Sequence, residues 1–210
     1  MPPARGYFLP QTWRMHPTLT AKVSELSYAA RLQSEPGVAD RRRLNGVEPG
    51  LHVRPVEHQG NDTSSPQEAA EVVSCLRSVI GLAWTPEDGP TRPLTATDVL
   101  VVAAYNAQVK EVRRQLAAAD LAHVQVGTVD KLQGREAAVV CVTLAASSAA
   151  DVPRGMEFLL SRNRLNVAVS RAQWAAFVVH SPALADHLPT NPADLIGLGA
   201  YLRLLAPRRT

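Results

Sequence analysis

Four short, nearly continuous apolar runs constrain the fold of this chain more than any other feature. They read DVLVVAA, VQVGTV, AAVVCVTL and AAFVVHS, at residues 98–104, 124–129, 137–144 and 175–181. A run this short that is apolar throughout is typical of a strand covered on both faces, as in a parallel sheet. Because helical patterns separate the runs, we predict a three-layer α/β fold, with a mainly parallel sheet flanked by helices.

Two helices are indicated by a proline at their first turn. The segment from Pro17 to about Ala30 is one of them. In the other, the sequence SPQE from Ser65 to Glu68 has the form of a capping box, and the helix is expected to continue to about Ala83.

A third helix and one further strand complete the outline. Val109, Val112 and Leu116 recur at helical spacing between the first two apolar runs. Residues 51–57 read as a short strand, and Pro55 is expected near its end or on a sheet edge, because proline cannot donate a ladder hydrogen bond.

Composition describes an ordinary globular chain. Of its 210 residues 46% are hydrophobic, and no apolar run reaches the roughly 20 residues that span a bilayer. The first ten residues lack the apolar core of a secretory signal. Cys75 and Cys141 are expected to be buried free thiols, with no disulfide or zinc site. A reducing, cytoplasmic setting and no membrane contact are therefore expected.

Most of the basic residues are arginines. Three of the 22 are lysines, which leaves 19 arginines at a net charge of only +3. Arginine grips phosphate oxygens in a bidentate manner that lysine cannot match. Genomic base composition also explains an arginine excess, so the charge by itself does not identify a nucleic-acid partner.

Arginines interrupt the apolar stretch FLLSRNRLNVAVSRAQW at residues 158–174. Arg164 and Arg171 are seven residues apart, which predicts that they lie about 10.5 Å apart on one face of a helix. Three apolar residues are expected to seat this helix on the sheet: Leu165, Val167 and Val169.

Polar connectors at the carboxyl ends of parallel strands usually carry the ligand site. AAYNAQ at residues 103–108 and GTVDKLQGRE at residues 127–136 are two such connectors. From the residues alone, Trp13 in QTWRMHP could stack on a base or pack in the core. Asp130 and Glu136 could hold a metal, but solvated loop carboxylates are commoner, and no metal site is predicted.

Taken together and in order, four stretches carry a resemblance to a known family. QTWRMHP, AAYNAQV, VGTVDKLQGREAAVV and RLNVAVSRAQ resemble motifs of the second RecA-like domain of superfamily 1 helicases. The most similar branch contains the nonsense-mediated-decay helicase and the Okazaki-fragment nuclease-helicase. The resemblance spans about residues 9 to 182. It implies a RecA-like P-loop NTPase fold over residues 1–182, with residues 183–210 as a helical extension of the same domain.

The resemblance also implies residue roles. Arg171 matches the arginine finger, and Arg14 matches an arginine that reaches the γ-phosphate of ATP. Trp13 stands where the family stacks a tyrosine on adenine, and Glu136 matches a glutamate near the ribose. The remaining ATP-binding positions complete the motif of Glu136 and are Gln133 and Gly134.

Nucleic-acid contacts are implied at the other two motifs. Thr128, with the backbone at Gly127, matches a contact with the phosphate backbone of the strand. Tyr105 and Asn106, followed by Gln108, match the family sequence YNAQ and take a structural and linking role beside the strand.

The chain also departs from the family pattern. Six positions differ from the family residue in or beside the motifs: Thr12, Ala104, Leu132, Ala138, Ser161 and Asn163. No G-x-x-x-x-G-K-[ST] occurs, and no D-E-x-x precedes QTWRMHP. The resemblance therefore implies that ATP and Mg²⁺ are bound jointly with an N-terminal RecA-like domain, in the same chain or a separate one.

The implied protein is the C-terminal half of an ATP-dependent helicase that moves along single-stranded DNA or RNA. Some bacterial relatives add a RecB-like nuclease domain. Two other functions stay open at this point. One is a non-catalytic nucleic-acid-binding or regulatory module derived from a helicase half, and the other is an unrelated α/β enzyme.

Overall fold

A five-stranded parallel sheet forms the centre of the computed structural model, which describes residues 8–186, 188–189 and 192–206. The strands in chain order are β1 Gln11–Thr12, β2 Gln33–Ser34, β3 Arg43–Leu44, β4 Gly50–Pro55, β5 Ala83–Thr85, β6 Arg92–Pro93, β7 Val99–Ala103, β8 Gln125–Gly127, β9 Ala137–Thr143 and β10 Ala172–His180. The helices are α1 Pro17–Ser27, α2 Val38–Arg41, α3 Pro66–Val79, α4 Asn106–Ala118, α5 Met156–Leu159, α6 Arg162–Val169 and α7 Pro192–Leu205. Single 3₁₀ turns lie at Ala96–Asp98, Ala149–Asp151 and Pro182–Leu184.

The central sheet has the strand order β4–β10–β9–β7–β8, and every neighbouring pair is parallel. Helices α1, α6 and α7 cover one face, and α3 and α4 cover the other. Each residue of β7 and β9 is buried, which explains why their sequences are apolar without alternation. The prediction of a three-layer α/β fold is confirmed.

Two smaller sheets flank this core. β1 and β2 form a parallel pair, and β3, β5 and β6 form a three-stranded antiparallel sheet that is anchored by the buried Trp84. The C-terminal helix α7 packs on α1 and α6. The hydroxyl of Tyr201 on α7 lies 2.8 Å from Nδ1 of His180 at the end of β10. The boundary predicted between residues 182 and 183 stays a prediction.

Several element ends differ from those expected. Helix α3 ends at Val79 rather than near Ala83, because Gly81 turns the chain with φ of +94° and Ala83 begins β5. Helix α1 ends at Ser27, and β8 is only three residues long. The expected position of Pro55 is confirmed, since it is the last residue of the edge strand β4.

The long helix predicted around Arg164 and Arg171 is wrong. Helix α6 ends at Val169, and Arg171 lies after it, immediately before β10, so the two arginines do not share a helical face. Leu165 and Val169, four residues apart, are buried against the sheet. Val167 lies on the opposite face and is 37% exposed, so it does not seat the helix.

The capping box at the start of α3 forms only in part. The Oγ atom of Ser65 accepts the backbone N–H of Glu68 at 3.1 Å, as predicted. The N–H of Ser65 donates instead to Oε1 of Gln108 at 2.7 Å. The carboxylate of Glu68 points into the protein and does not return to Ser65.

A buried hydrogen-bond network replaces the reciprocal half of that box. One oxygen of Glu68 accepts hydrogen bonds from Oγ1 of Thr143 at 2.6 Å and from the N–H groups of Leu144 and Ala145 at 2.9 Å each. The other oxygen lies 3.1 Å from Nε2 of His58, whose Nδ1 is 2.7 Å from Oγ of Ser147. The network ties the start of α3 to the chain that leaves β9.

The two cysteines are buried free thiols, as predicted. A hydrogen bond with Cys75, together with complete burial, raises the pKa of the Cys141 thiol well above its ordinary value. Among the residues that the structure describes, no helix is long and apolar enough to cross a membrane.

Replacing Glu68 with alanine should destabilise the domain by about 3 kcal/mol, because it strands several buried donors at once. Urea unfolding at neutral pH measures the change. The matched control is Glu25→Ala, an exposed glutamate on α1, which should shift the free energy of unfolding by no more than about 0.5 kcal/mol. Equal effects of the two substitutions would show that the network contributes little.

Candidate functional site

Three charged residues from distant parts of the sequence meet at one edge of the central sheet. Nε of Arg14 donates to Oε2 of Glu136 at 2.6 Å, and Nη1 of Arg14 donates to the carbonyl of Ser170 at 3.2 Å. Glu136 and Arg171 directly precede β9 and β10, which pair through Ala137 and Ala172. Strand pairing brings Glu136 and Arg171 together, and the hydrogen bonds of Arg14 add a residue from a third motif.

The position of this cluster differs from the carboxyl ends of the strands, where the sequence pattern indicates the ligand site. Arg14, Glu136 and Arg171 cluster at the amino ends of β9 and β10. Only Thr128 and the Tyr105–Asn106 pair follow the carboxyl ends of their strands, β8 and β7. The connection from Thr128 to Glu136 joins the two edges, because it leaves one carboxyl end and enters one amino end.

The Arg14–Glu136 pair is accessible to solvent on both sides of the contact. Partial burial would raise the pKa of the Glu136 carboxyl, but hydrogen bonds from Arg14 and Gln173 and the charges of Arg14 and Arg42 outweigh it and lower the pKa. Nε2 of Gln173 donates to Oε1 of Glu136 at 2.9 Å. The carboxylate therefore holds the Arg14 guanidinium in a defined direction while leaving it open to a ligand.

Arg171, which the family resemblance implies as the arginine finger, is only 5% exposed. Its Nη1 donates to the carbonyl of Arg135 and its Nη2 to the carbonyl of Val129, each at 3.1 Å. Its Nε is buried without a partner among the described residues. Burial and the nearby charge of Arg14 lower the pKa of this guanidinium. Arg171 thus clamps the loop between β8 and β9.

Trp13 is 57% exposed, so its ring is free to stack on a ligand beside Arg14. Gln133 and Gly134 lie exposed in the loop, and Gly134 adopts φ of +78°. Among the described hydrogen bonds, none joins Gln133 or Gly134 to the Arg14–Glu136 pair. Trp13 is therefore next to the charged cluster through its neighbour Arg14. Gln133 and Gly134 lie in the loop between β8 and β9, just before Glu136.

Close packing fixes the beginning of the same loop. Gly127 is buried, and a Cβ atom on it would lie 2.9 Å from Cγ of Leu132. Only glycine fits that approach without displacing Leu132. Thr128 follows and is half-buried, so its hydroxyl lies close to the surface of the protein.

A basic groove runs between helix α4 and this loop. Gly127, Lys131 and Arg135 line it from the loop, and Arg113 lines it from α4. No acidic side chain is among the lining residues of this groove. Nη2 of Arg113 also donates to the carbonyl of Val126 on the edge strand, at 2.7 Å. Sequence reasoning missed Arg113, whose only signal is its position on the exposed side of an amphipathic helix.

The YNAQ stretch is divided between core and surface. Asn106 is exposed at the first position of α4. Tyr105 is buried, its ring centroid lies 5.8 Å from that of Phe158, and its hydroxyl has no partner among the described residues. Burial also raises the pKa of this hydroxyl. Burial of the Tyr105 ring agrees with the structural and linking role expected for it, and its place in a nucleic-acid-binding surface stays a prediction.

Gln108 is fully buried and bridges two elements. It accepts from the N–H of Ser65, donates to the carbonyl of Ser65 at 3.2 Å, and donates to Oγ1 of Thr143 at 2.9 Å. These contacts agree with the structural and linking role expected for it.

Two carboxylates near this site, Asp130 and Glu136, can be considered as metal ligands from the sequence alone. Asp130 lies 3.8 Å from Nη2 of Arg164, and Glu136 is committed to Arg14, so these two carboxylates do not form a pair. Within the described ranges, no three histidine, cysteine or acidic side chains converge in a way that could hold a metal ion.

The mainly parallel sheet and the order of the four motifs are those of the second RecA-like domain of superfamily 1 helicases. The chain belongs to the AAA domain family, whose model matches residues 3–183.

Individual relatives agree with this assignment. The DNA polymerase alpha-associated DNA helicase A of Schizosaccharomyces pombe is 44% identical over 78 residues, which cover 37% of this chain and 11% of that protein. The human RNA helicase Mov10l1 is 27% identical over 186 residues, covering 83% of this chain and 15% of that protein. The bovine DNA replication ATP-dependent helicase/nuclease DNA2 is 38% identical over 94 residues, which cover 44% of this chain and 9% of that protein. The chain thus spans about a tenth of the length of these relatives.

One solved structure resembles the domain distantly. The C-terminal domain of a possible DNA helicase from Lactobacillus plantarum WCFS1 is 17% identical, and the match covers 87% of this chain and 96% of that one with a TM-score of 0.46. A similarity this low adds nothing to the family assignment.

Replacing Arg14 with glutamine should raise the pKa of Glu136 toward its ordinary value of about 4.3, because the substitution removes both the donor and the charge. Since the pKa is lowered in the folded state, the contact stabilises the fold above the unfolded-state pKa and is lost as the pH falls through the folded-state pKa. Carboxyl NMR titration measures the shift. The control is Arg162→Gln, an exposed arginine on α6, and an unmoved Glu136 pKa in Arg14→Gln would contradict the assignment.

Proposed function

We propose that this domain supplies one side of an ATP site and part of a strand-binding surface to a nucleic-acid helicase or translocase. The other side of the ATP site comes from a RecA-like domain with Walker A and B motifs, in the same chain or in a separate one. The observation that supports this most is the meeting of Arg14, Glu136 and Arg171 at one corner, although they are far apart in sequence.

The corner suits a triphosphate held between two domains. The Arg14 guanidinium is 42% exposed beside the accessible ring of Trp13, so a ligand can reach both. Trp13 would stack on the adenine, and Arg14 would bind the γ-phosphate. Glu136, together with Gln133 and Gly134 just before it in the loop, would face the ribose of ATP.

Arg171 is the proposed arginine finger. That role requires its guanidinium to exchange the carbonyls of Val129 and Arg135 for phosphate oxygens as the domains close. Because the guanidinium is desolvated and its Nε donor has no partner among the described residues, a hydrogen bond to an anionic phosphate oxygen would stabilise it. A guanidinium delivered in this way stabilises charge on the transferring phosphoryl group and makes hydrolysis depend on domain closure.

Magnesium would neutralise charge on the β- and γ-phosphate oxygens of bound ATP. The described residues offer no cluster of ligands for it, so the metal ligands are assigned to the Walker-bearing domain. This chain contributes cations, a stacking surface and the polar loop.

The strand-binding part is assigned to the other end of the loop. Thr128, the backbone at Gly127 and the exposed Asn106 lie at the carboxyl ends of β8 and β7, and Gly127 also lines the basic groove. Contacts from Lys131 and Arg135 to phosphates would hold single-stranded DNA or RNA with little readout of the bases. Because Arg171 grips the carbonyls of Val129 and Arg135, the nucleotide corner and this surface share one loop.

One observation favours a second candidate function. Both terminal nitrogens of Arg171 are already satisfied within the domain, as expected if the residue is purely structural. In that case the chain would be a non-catalytic nucleic-acid-binding or regulatory module derived from a helicase half.

The 210-residue chain should bind ATP only weakly and hydrolyse none, because it contains no phosphate-cradling G-x-x-x-x-G-K-[ST] loop. Titration with ATP and a phosphate-release assay on the purified chain measure both properties. Adding a Walker-bearing RecA-like domain of the same family should produce turnover. Robust turnover by the chain alone would overturn the proposal, and absence of turnover in the assembly would favour the non-catalytic module.

Binding of single-stranded nucleic acid should weaken steeply with salt, with a slope near −0.7 for each phosphate contact. Lys131→Gln and Arg135→Gln should each weaken binding and lower that slope by about 0.7. Fluorescence anisotropy with a labelled oligonucleotide across a salt series measures this. Lys110→Gln is the matched control, because Lys110 is exposed on α4 and does not line the groove. Equal effects of all three substitutions would exclude the groove as the binding surface.

A further inference from the structure

The backbone that carries Trp13 and Arg14 has little support from its own sheet. β1 ends at Thr12 and α1 begins at Pro17, so the residues between them belong to neither element. Within the described part of the chain, the carbonyls of both Trp13 and Arg14 accept hydrogen bonds from Nη1 of Arg42, the first at 3.2 Å. One guanidinium nitrogen thus bridges two consecutive carbonyls of the proposed ATP-binding segment.

Arg42 is itself held in place. Its side chain is only 10% exposed, and its Nη2 pairs with Oε2 of Glu87. The other oxygen of Glu87 accepts from Nη1 of Arg41 at 3.2 Å. Because the donors of Nη1 and Nη2 are directed at fixed acceptors, the planar guanidinium has one preferred orientation.

The brace comes from outside the family motifs. Arg42 lies between α2 and β3, and Glu87 follows β5, so both lie in segments next to strands of the small three-stranded sheet. Arg42 also acts on the charged corner, since its positive charge helps to lower the pKa of Glu136. Its side chain therefore reaches the rear of the Trp13–Arg14 segment, while the Trp13 ring and the Arg14 guanidinium remain accessible.

We infer that Arg42, oriented by Glu87, is a positioning residue that presets the Trp13 ring and the Arg14 guanidinium for the adenine and the γ-phosphate of ATP. The inference rests on the proposed function for its ligand. In this inference Arg42 acts through the backbone of Trp13 and Arg14 and not on the nucleotide, since its Nη1 bonds to those two carbonyls and its Nη2 to the carboxylate of Glu87, which neutralises the guanidinium. Arg42 contributes by preorganisation. Without it, ordering the Trp13–Arg14 segment would cost part of the free energy of ATP binding.

The exposed Trp13 provides a readout that does not need ATP. Trp84 and Trp174 are buried, so acrylamide quenching reports mainly on Trp13. The Trp13→Phe variant measures the fluorescence of the two buried tryptophans, which is then subtracted. In Arg42→Gln and Glu87→Gln, the accessibility of Trp13 to acrylamide should rise and its emission anisotropy should fall. Arg43→Gln is the matched control, because Arg43 is exposed and its Nε bonds only to Asn45 among the described contacts.

Titration of the same proteins with Mg²⁺–ATP, followed by Trp13 fluorescence, tests the consequence for binding. Arg42→Gln and Glu87→Gln should raise the dissociation constant about five- to tenfold, and Arg43→Gln should leave it within about twofold. Arg42→Lys should not restore affinity, since an ammonium group cannot reproduce the planar contacts.

The outcomes separate the inference from the proposed function. Unchanged anisotropy and unchanged ATP affinity in folded Arg42→Gln protein would overturn the brace. If Arg42→Gln does not fold, Glu87→Gln, which keeps the arginine, decides by the same two readouts. Failure of the wild-type domain to bind ATP when it is assembled with a Walker-bearing RecA-like domain would count against the proposed function, and the anisotropy would still decide whether the brace exists.

Discussion

The parallel pairing of β9 with β10 is the contact on which the rest of the site depends. It aligns Ala137 with Ala172, and thereby places Glu136 and Arg171 side by side at the edge of the sheet. Arg14 joins them because its guanidinium bonds to both Glu136 and the carbonyl of Ser170. A shift of this register would separate the carboxylate from the cations, so the charged corner is a direct product of strand pairing in a buried sheet.

The loop between β8 and β9 connects this corner to the opposite edge of the sheet. It starts at the close contact between Gly127 and Leu132 and ends at Glu136. Arg171 holds the carbonyls of Val129 and Arg135 with a single side chain. In the proposed function, movement of that guanidinium toward phosphate would release both carbonyls, so nucleotide state and strand contact would be coupled through one identifiable set of hydrogen bonds.

Much of the fold could be predicted from the sequence, because the spacing of apolar residues reflects which faces of a strand or helix are buried. β7 and β9 are buried on both faces, and their uniform apolar runs reflect this directly. The helical spacing around Arg171 was misleading, since nothing in the local pattern marks the end of α6 at Val169 or the start of β10 at Ala172. The partners of Glu68, the clamp formed by Arg171 and the brace formed by Arg42 are contacts between distant segments. Such contacts depend on tertiary packing and leave no periodic signal.

ATP turnover by this domain, assembled with a Walker-bearing RecA-like domain, is the most direct test of the central claim that Arg171 acts on the transferring phosphoryl group. The wild-type protein is compared with Arg171→Gln, whose side-chain amide keeps one donor for the loop carbonyls. The account predicts that kcat falls by about a thousandfold while the dissociation constant for ATP changes by only a few-fold. Unchanged kcat in folded Arg171→Gln protein would contradict it.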